Sequence, residues 1–172
     1  MGANVIIGKT VRIRQPEKVS IGDGTIIDDF TYISSGATIG KNCHIASNVS
    51  ISGGSGHFYL GDYSTLSNHC SVHCCSSDFK KLSLDLPSVS PHLQEGGVVG
   101  DVEIGKLVTI GAHSCILPSC IFPDGVAAGA FSLLSPMGYK SYALYAGIPA
   151  KFIKTRVISQ EILKKCKLRK ED

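Results

Sequence analysis

The chain contains no tryptophan, two methionines and no apolar run long enough to span a membrane. Because a spanning helix needs about 20 mostly apolar residues, we expect no membrane span. Residues 1–14 lack the apolar core that a secretory leader requires, so we expect no leader. Lys and Arg exceed Asp and Glu by only three charges, 17 against 14. Such a small excess does not indicate a nucleic-acid partner.

Cysteine is plentiful by contrast, with seven among 172 residues. The odd number and the absence of small-domain spacing predict reduced thiols and a cytoplasmic protein. The segment 69–75, HCSVHCC, holds two histidines and three cysteines. Whether it forms a metal site depends on where each side chain points.

Large aliphatic residues recur at every sixth position, a period that fits no α-helix, because six residues turn a helix by about 600°. The series are Ile21, Ile27, Ile33, Ile39, Ile45 and Ile51; then Leu60, Leu66 and Val72; then Val98, Ile104, Ile110, Ile116, Phe122, Ala128 and Leu134. Small or β-branched residues lie four positions after most of them. We therefore predict an all-β fold, a left-handed parallel β-helix over about residues 5–135, with the large residues inside and the small ones near corners.

Two segments depart from this period. Residues from about 77 to 97 have no hexad register and predict an extruded loop, which in compact domains usually serves function. The segment 159–170 predicts a short amphipathic α-helix with Ser159 as its N-cap. We thus expect a β-helix domain over 1–156 and a C-terminal helix and tail over 157–172.

Strand alternation separates the side chains of the histidine- and cysteine-rich segment. Cys70, like Cys43 and Cys120, belongs to the small inward column and should act as a core thiol. His69 and His73 should point outward, so Cys70 shares no ligand sphere with them. Because structural zinc needs four convergent ligands, we expect no metal site.

The same register predicts a ladder of polar side chains. His69 follows Leu66 by three positions, as His113 follows Ile110, so the two imidazoles should stack on adjacent coils. Asn48 should occupy this column one coil earlier. Two interpretations remain open: a polar ladder at a subunit interface, or the wall of an active site.

Several motifs resemble the hexapeptide-repeat acyltransferases, and more closely the small bacterial sugar O- or N-acetyltransferases of surface-polysaccharide biosynthesis. They are CHIASNVSISGGSG (43–56), LGDYSTLS (60–67), SSDF (76–79) and the closing YAGIPAKFIKTR (145–156). The resemblance implies a homotrimer with active sites between subunits and acetyl-CoA as co-substrate. It also implies a sugar or nucleotide-sugar acceptor, with O- and N-acetylation both open.

The resemblance also implies positions for the cofactor. Backbone groups of late coils would hold the pantetheine arm of acetyl-CoA, and cations near the C-terminus would meet its phosphates. The implied residues are Gly111, Ala112, Gly129 and Ala130 for pantetheine, and Lys151, Lys154 and Arg156 for the phosphates.

Acetyl transfer needs a base for the acceptor proton and a donor to the thioester oxygen. His44, in an HIA context shared with amino-sugar acetyltransferases, is the first candidate, followed by His69 and Asp78. Relatives carry catalytic histidines at places that are Ser35 and Ser77 here. Asn48 should contribute to the acceptor site, together with Phe79 and Lys80 of the loop.

Two other functions remain open. A zinc enzyme similar to γ-carbonic anhydrases would use His69, His73 and His113 at a trimer interface. A catalytically idle trimeric scaffold would need none of the candidate site residues.

Overall fold

The structure is a computed structural model that describes residues 1–166. Short parallel strands wind around a triangular prism, and each turn adds one strand to each of three sheets. Sheet A contains β1 Ile6–Ile7, β4 Ile26–Ile27, β7 His44–Ile45, β10 Thr65–Leu66, β15 Thr109–Ile110, β18 Ala127–Ala128, β20 Ala143–Gly147 and β21 Ala150–Thr155. Sheet B contains β2 Arg12–Ile13, β5 Tyr32–Ile33, β8 Ser50–Ser52, β11 Ser71–His73, β16 Cys115–Ile116 and β19 Leu133–Leu134. Sheet C contains β3 Val19–Ile21, β6 Gly36–Ile39, β9 His57–Leu60, β14 Val102–Ile104 and β17 Ile121–Phe122.

The predicted aliphatic column fills the prism. Its members from Ile21 to Val72 and from Ile104 to Leu134 are buried, which confirms the hexad assignment there. Val98 was assigned wrongly. It is exposed, on the short strand β13 Val98–Val99, which pairs antiparallel with β12 Cys75–Ser76. This two-stranded ladder closes the base of the extruded loop, so the coil resumes at Val102 and not at Val98.

The small column has a second role besides fitting near the corners. Its hydroxyl and thiol groups donate hydrogen bonds to carbonyls of the next coil, as from Thr25 to Gly40 at 2.8 Å and from Ser64 to Gly105 at 2.8 Å. The buried thiol of Cys70 donates likewise to Gly111 at 3.2 Å. Small donors thus satisfy carbonyls that face the interior, and the prediction that Cys43, Cys70 and Cys120 are core thiols is confirmed.

After β20 the described chain leaves the regular coil. Strands β20 and β21 form an antiparallel hairpin, and α1 Gln160–Lys165 follows it. Ser159 caps this helix by accepting from the N–H of Ile162, and Leu163 is buried. The predicted helix ran to residue 170, and positions 167–170 lie outside the described residues. Short 3₁₀ turns span Pro16–Lys18 and Pro91–Leu93. Within residues 1–166, no helix has the length and apolarity to cross a membrane.

Candidate active site

His44 forms a hydrogen bond with Asp28 on the outer face of sheet A. Its Nε2 lies 2.8 Å from a carboxylate oxygen of Asp28, and the two side chains are 49% and 45% exposed. The contact follows from the coil, because His44 pairs with Ile26 on β4 and Asp28 follows that strand. A carboxylate bound to Nε2–H leaves Nδ1 with its lone pair, directed away from Asp28. The pair is therefore suited to take a proton.

Three rings stack at the corner between sheets A and B. His69 and His113 have ring centroids 4.7 Å apart with planes 10° apart, which confirms the predicted stack. Phe131 extends the column at 4.7 Å from His113, and sequence reasoning missed it. All three rings are at turn positions of φ between 55° and 60°, as is Asn48 one coil earlier. His69 is therefore a corner residue rather than a strand residue, and its ring is exposed.

Some backbone groups at the same corner form hydrogen bonds within the protein, and others in the described residues do not. Gly111 and Gly129 donate their N–H groups to Ala128 and Tyr145, at 2.9 and 2.8 Å. Their carbonyls accept from side chains of the small column. A Cβ on Gly111 would collide with the N–H of Ala130, so coil packing alone requires this glycine. Within the described residues, the N–H groups of Ala112 and Ala130 have no partner.

The three cations predicted to meet phosphates differ in their exposure and in their contacts with the rest of the protein. Lys151 and Lys154 are exposed on β21. Arg156, by contrast, donates from Nη1 to the carbonyl oxygen of Gly125 at 2.6 Å and lies near those of Leu107 and Val126. The phosphate role of all three cations stays a prediction. The hydrogen bond from Arg156 to Gly125 attaches the C-terminal segment to the coil.

The extruded loop contains the other predicted acceptor residues. Asp78 accepts from the N–H of Lys80 at 3.0 Å, while its own N–H donates to Asp85 at 3.0 Å. Phe79 is 90% exposed. A cavity of about 540 Å³ lies beneath the base of the loop, between Cys75, Pro87 and neighbouring residues. In residues 1–166, no hydrogen bond, ion pair or ring contact joins Asp78 to His44 or His69.

The histidines do not converge on a metal ion within one chain. Among the described residues, no three His, Cys, Asp or Glu side chains could hold one. His69 and His113 stack at the corner, whereas His73 lies on β11 and contacts Ser52 through Nδ1 at 3.2 Å.

Sequence reasoning missed two partners of the histidines. Asp28 lies 2.8 Å from Nε2 of His44, and the Ser52 hydroxyl lies 3.2 Å from Nδ1 of His73. Both contacts join adjacent coils, so the register between coils could have predicted them.

Comparison with known proteins shows the class of protein. Residues 18–53 match the family described as bacterial transferase hexapeptide (six repeats). The chain is 33% identical over 159 residues to dTDP-4-amino-4,6-dideoxy-D-glucose acyltransferase of Escherichia coli, covering 91% of this chain and 81% of that protein. It is 30% identical over 133 residues to a probable macrolide acetyltransferase of Lysinibacillus sphaericus, covering 77% and 67%. The chain therefore belongs to the hexapeptide-repeat acyltransferases.

Similar solved structures include that of AntD, an N-acyltransferase from Bacillus cereus, in complex with dTDP and 3-hydroxybutyryl-CoA. The TM-score is 0.89 at 32% identity, covering 97% of this chain and 87% of that one. A mutant of AntD in complex with dTDP-4-amino-4,6-dideoxyglucose and Coenzyme A has a TM-score of 0.82 at 31% identity, covering 96% and 87%. The predicted left-handed β-helix of an acyltransferase is confirmed.

Proposed function

We propose that the protein transfers an acyl group from acyl-CoA to the amino group of a dTDP-linked 4-amino-4,6-dideoxy sugar. The observation that carries the proposal is similarity along nearly the whole chain to proteins named for this sugar or bound to it. AntD was solved with an acyl-CoA in place, which supports the same class of donor here. The proposal replaces the open choice between O- and N-acetylation with N-acylation.

The His44–Asp28 pair supplies the proton chemistry for this reaction. An amine attacks a thioester only after it loses a proton, and the free Nδ1 of His44 can take that proton. Asp28 holds the ring at 2.8 Å and stabilises the positive charge that the ring then acquires. His44 is therefore the proposed base, while His69 and Asp78 are proposed to contact the acceptor, with Asn48, Phe79 and Lys80 around them.

The donor is proposed to lie along the corner between sheets A and B. The unpartnered N–H groups of Ala112 and Ala130 lie on consecutive coils and suit the amide oxygens of pantetheine. Gly111 and Gly129 would then shape the groove without donating. The exposed Lys151 and Lys154 would meet the phosphates, where a cation interacts most strongly with an anion.

A homotrimer is proposed because the candidate groups of one chain stay apart. Asp78 does not contact His44, and large apolar side chains remain exposed on the prism, among them Ile6, Phe30, Ile121 and Phe131. Flat faces with exposed apolar groups pack well around a three-fold axis, which would bring the loop of one subunit to the coil of another. Cytoplasmic location and a role in surface-polysaccharide biosynthesis stay predictions, and the seven free thiols favour the first.

The test is CoA release from acetyl-CoA with purified protein and a panel of acceptors. We expect release with dTDP-4-amino-4,6-dideoxyglucose and none with the matched 4-hydroxy sugar, because only the amine is a strong nucleophile at neutral pH. Preference for the hydroxyl sugar would overturn the N-acylation proposal. Stoichiometric zinc without CoA release would favour the carbonic-anhydrase alternative. The absence of both zinc and CoA release would favour the idle scaffold.

A further inference from the structure

A cavity of about 220 Å³ lies between the C-terminal segment and the corner where sheets C and A meet. One wall consists of corner residues from four successive coils, Tyr63, Leu107, Gly125 and Tyr142, all with φ between 53° and 72°. The facing wall comes from the segment 156–163, which includes the first turn of α1. The donor is proposed to lie at the other edge of sheet A, at the corner with sheet B. The cavity is therefore separate from the candidate active site.

Gly125 shapes the cavity because it has no side chain. A Cβ at this position would collide with the ring of Tyr142, which packs against the glycine. The φ of Gly125, 72°, is also one that other residues rarely adopt. The ring of Tyr142 thus takes the place of a side chain at position 125, and the carbonyl oxygen of Gly125 stays accessible to Arg156.

Arg156 supplies the charge of this cavity. Among the described residues that line it, no other side chain is charged. Nη1 of Arg156 donates to the carbonyl oxygen of Gly125 at 2.6 Å and lies 3.4 and 3.5 Å from those of Leu107 and Val126. In the part of the chain that the structure describes, Nε and Nη2 have no hydrogen-bond partner, and no carboxylate pairs with the guanidinium. The contacts of Nη1 therefore hold the group in place and leave its other edge unpaired.

The unpaired edge and the apolar walls together define the ligand that fits. Nε–H and Nη2–H of a guanidinium point the same way and match the two oxygens of a carboxylate. Aliphatic side chains form much of the remaining surface, namely Leu107, Val157, Ile158, Ile162 and Leu163. A volume of about 220 Å³ is below the range of about 300–1,000 Å³ that is typical of pockets for drug-sized ligands, so the ligand must be small.

We propose that this cavity binds a small carboxylic acid with an apolar body, whose carboxylate pairs with Nε and Nη2 of Arg156. The inference does not rest on the proposed function. It also differs from the prediction that Arg156 meets a phosphate of CoA. A phosphate has no apolar part to cover the aliphatic walls, whereas the body of an apolar acid removes them from water.

The test is isothermal titration calorimetry of the full chain with benzoate, a planar carboxylate on a small ring. We expect saturable binding at one site per chain. Benzamide has the same shape without the charge and should bind at least about tenfold more weakly, because the charge-assisted hydrogen bonds are lost. Inorganic phosphate, which has the charge without the apolar body, should bind at least about tenfold more weakly as well. Saturating acetyl-CoA should leave the affinity for benzoate unchanged.

Two variants locate the site. Arg156→Gln should weaken benzoate binding at least about tenfold. Because this change also removes the hydrogen bond to Gly125, a second variant leaves Arg156 intact. Thr109 lines the cavity from β15, and Thr109→Phe should fill it and weaken binding by a similar factor. Thr65→Phe is the matched control, since Thr65 pairs with Thr109 on the next strand but does not line the cavity.

The outcomes separate this site from other uses of Arg156. Absence of saturable benzoate binding overturns the inference, as does equal affinity for benzamide or phosphate. Competition by acetyl-CoA would assign Arg156 to the donor and overturn it too. Equal weakening by Thr109→Phe and Thr65→Phe would place benzoate outside the cavity. None of these results depends on acyl transfer, so CoA release with an acceptor tests the proposed function separately.

Discussion

His44 and His73 are outward-facing histidines on different sheets and on successive coils, and their partners give them different chemistry. His44 on sheet A is half exposed and bound to a carboxylate, Asp28. His73 on sheet B is half-buried, and its Nδ1 lies 3.2 Å from the hydroxyl of Ser52. A carboxylate stabilises a ring that has taken a proton, whereas a neutral hydroxyl supplies no charge to do so. The first arrangement therefore suits deprotonation of a bound acceptor, and the second does not.

The largest effect is expected at His44. His44→Ala should lower kcat for acyl transfer to the amino sugar by about 10²–10⁴-fold, because the general base is lost. His57→Ala is the matched control, since His57 is also held by a neighbouring side chain, Thr38 at 3.0 Å, but lies on sheet C. A drop of the same size in both variants would show a structural effect and would remove the distinction between His44 and other outward histidines.

A smaller effect is expected at Asp28. Asp28→Asn keeps the size of the side chain but removes the charge, and kcat should fall by no more than about tenfold, because exposed ion pairs contribute little. Salt screens such pairs, so the difference between wild type and variant should shrink at about 1 M salt. A loss as large as that of His44→Ala, insensitive to salt, would mean that Asp28 acts on the substrate itself.

The sequence predicts the coil well because each turn needs large aliphatic side chains at the same inward positions. Ile27, Ile33 and Ile45 point inward for the same reason, and the three-position offset of His69 and His113 was enough to predict their stack. Val98 shows where the period misleads. This residue falls at the six-residue spacing by coincidence, but it lies on the antiparallel ladder at the base of the loop.

Contacts between coils were harder to predict from the sequence. Asp28 and His44 are 16 residues apart, and Ser52 and His73 are 21 apart. His73 and Cys115 are further separated by the extruded loop, which interrupts the period between their coils. The register that pairs Val72 with Ile116 places Cys115 beside Ser71, and the length of the loop gives no sign of this pairing in the sequence. Which side chains bond across coils depends on rotamers, and hexad spacing carries no information about them.

The smallest effect is expected at Lys151, which lies exposed on β21. If Lys151 meets a phosphate of acyl-CoA, Lys151→Ala should raise KM for acetyl-CoA by about fivefold with little change in kcat, the opposite of the pattern expected for His44→Ala. Lys164→Ala on the C-terminal helix is the matched loss of one positive charge and should leave KM unchanged. A fall in kcat with an unchanged KM would contradict the phosphate role of Lys151, because a group that only binds the donor acts on KM.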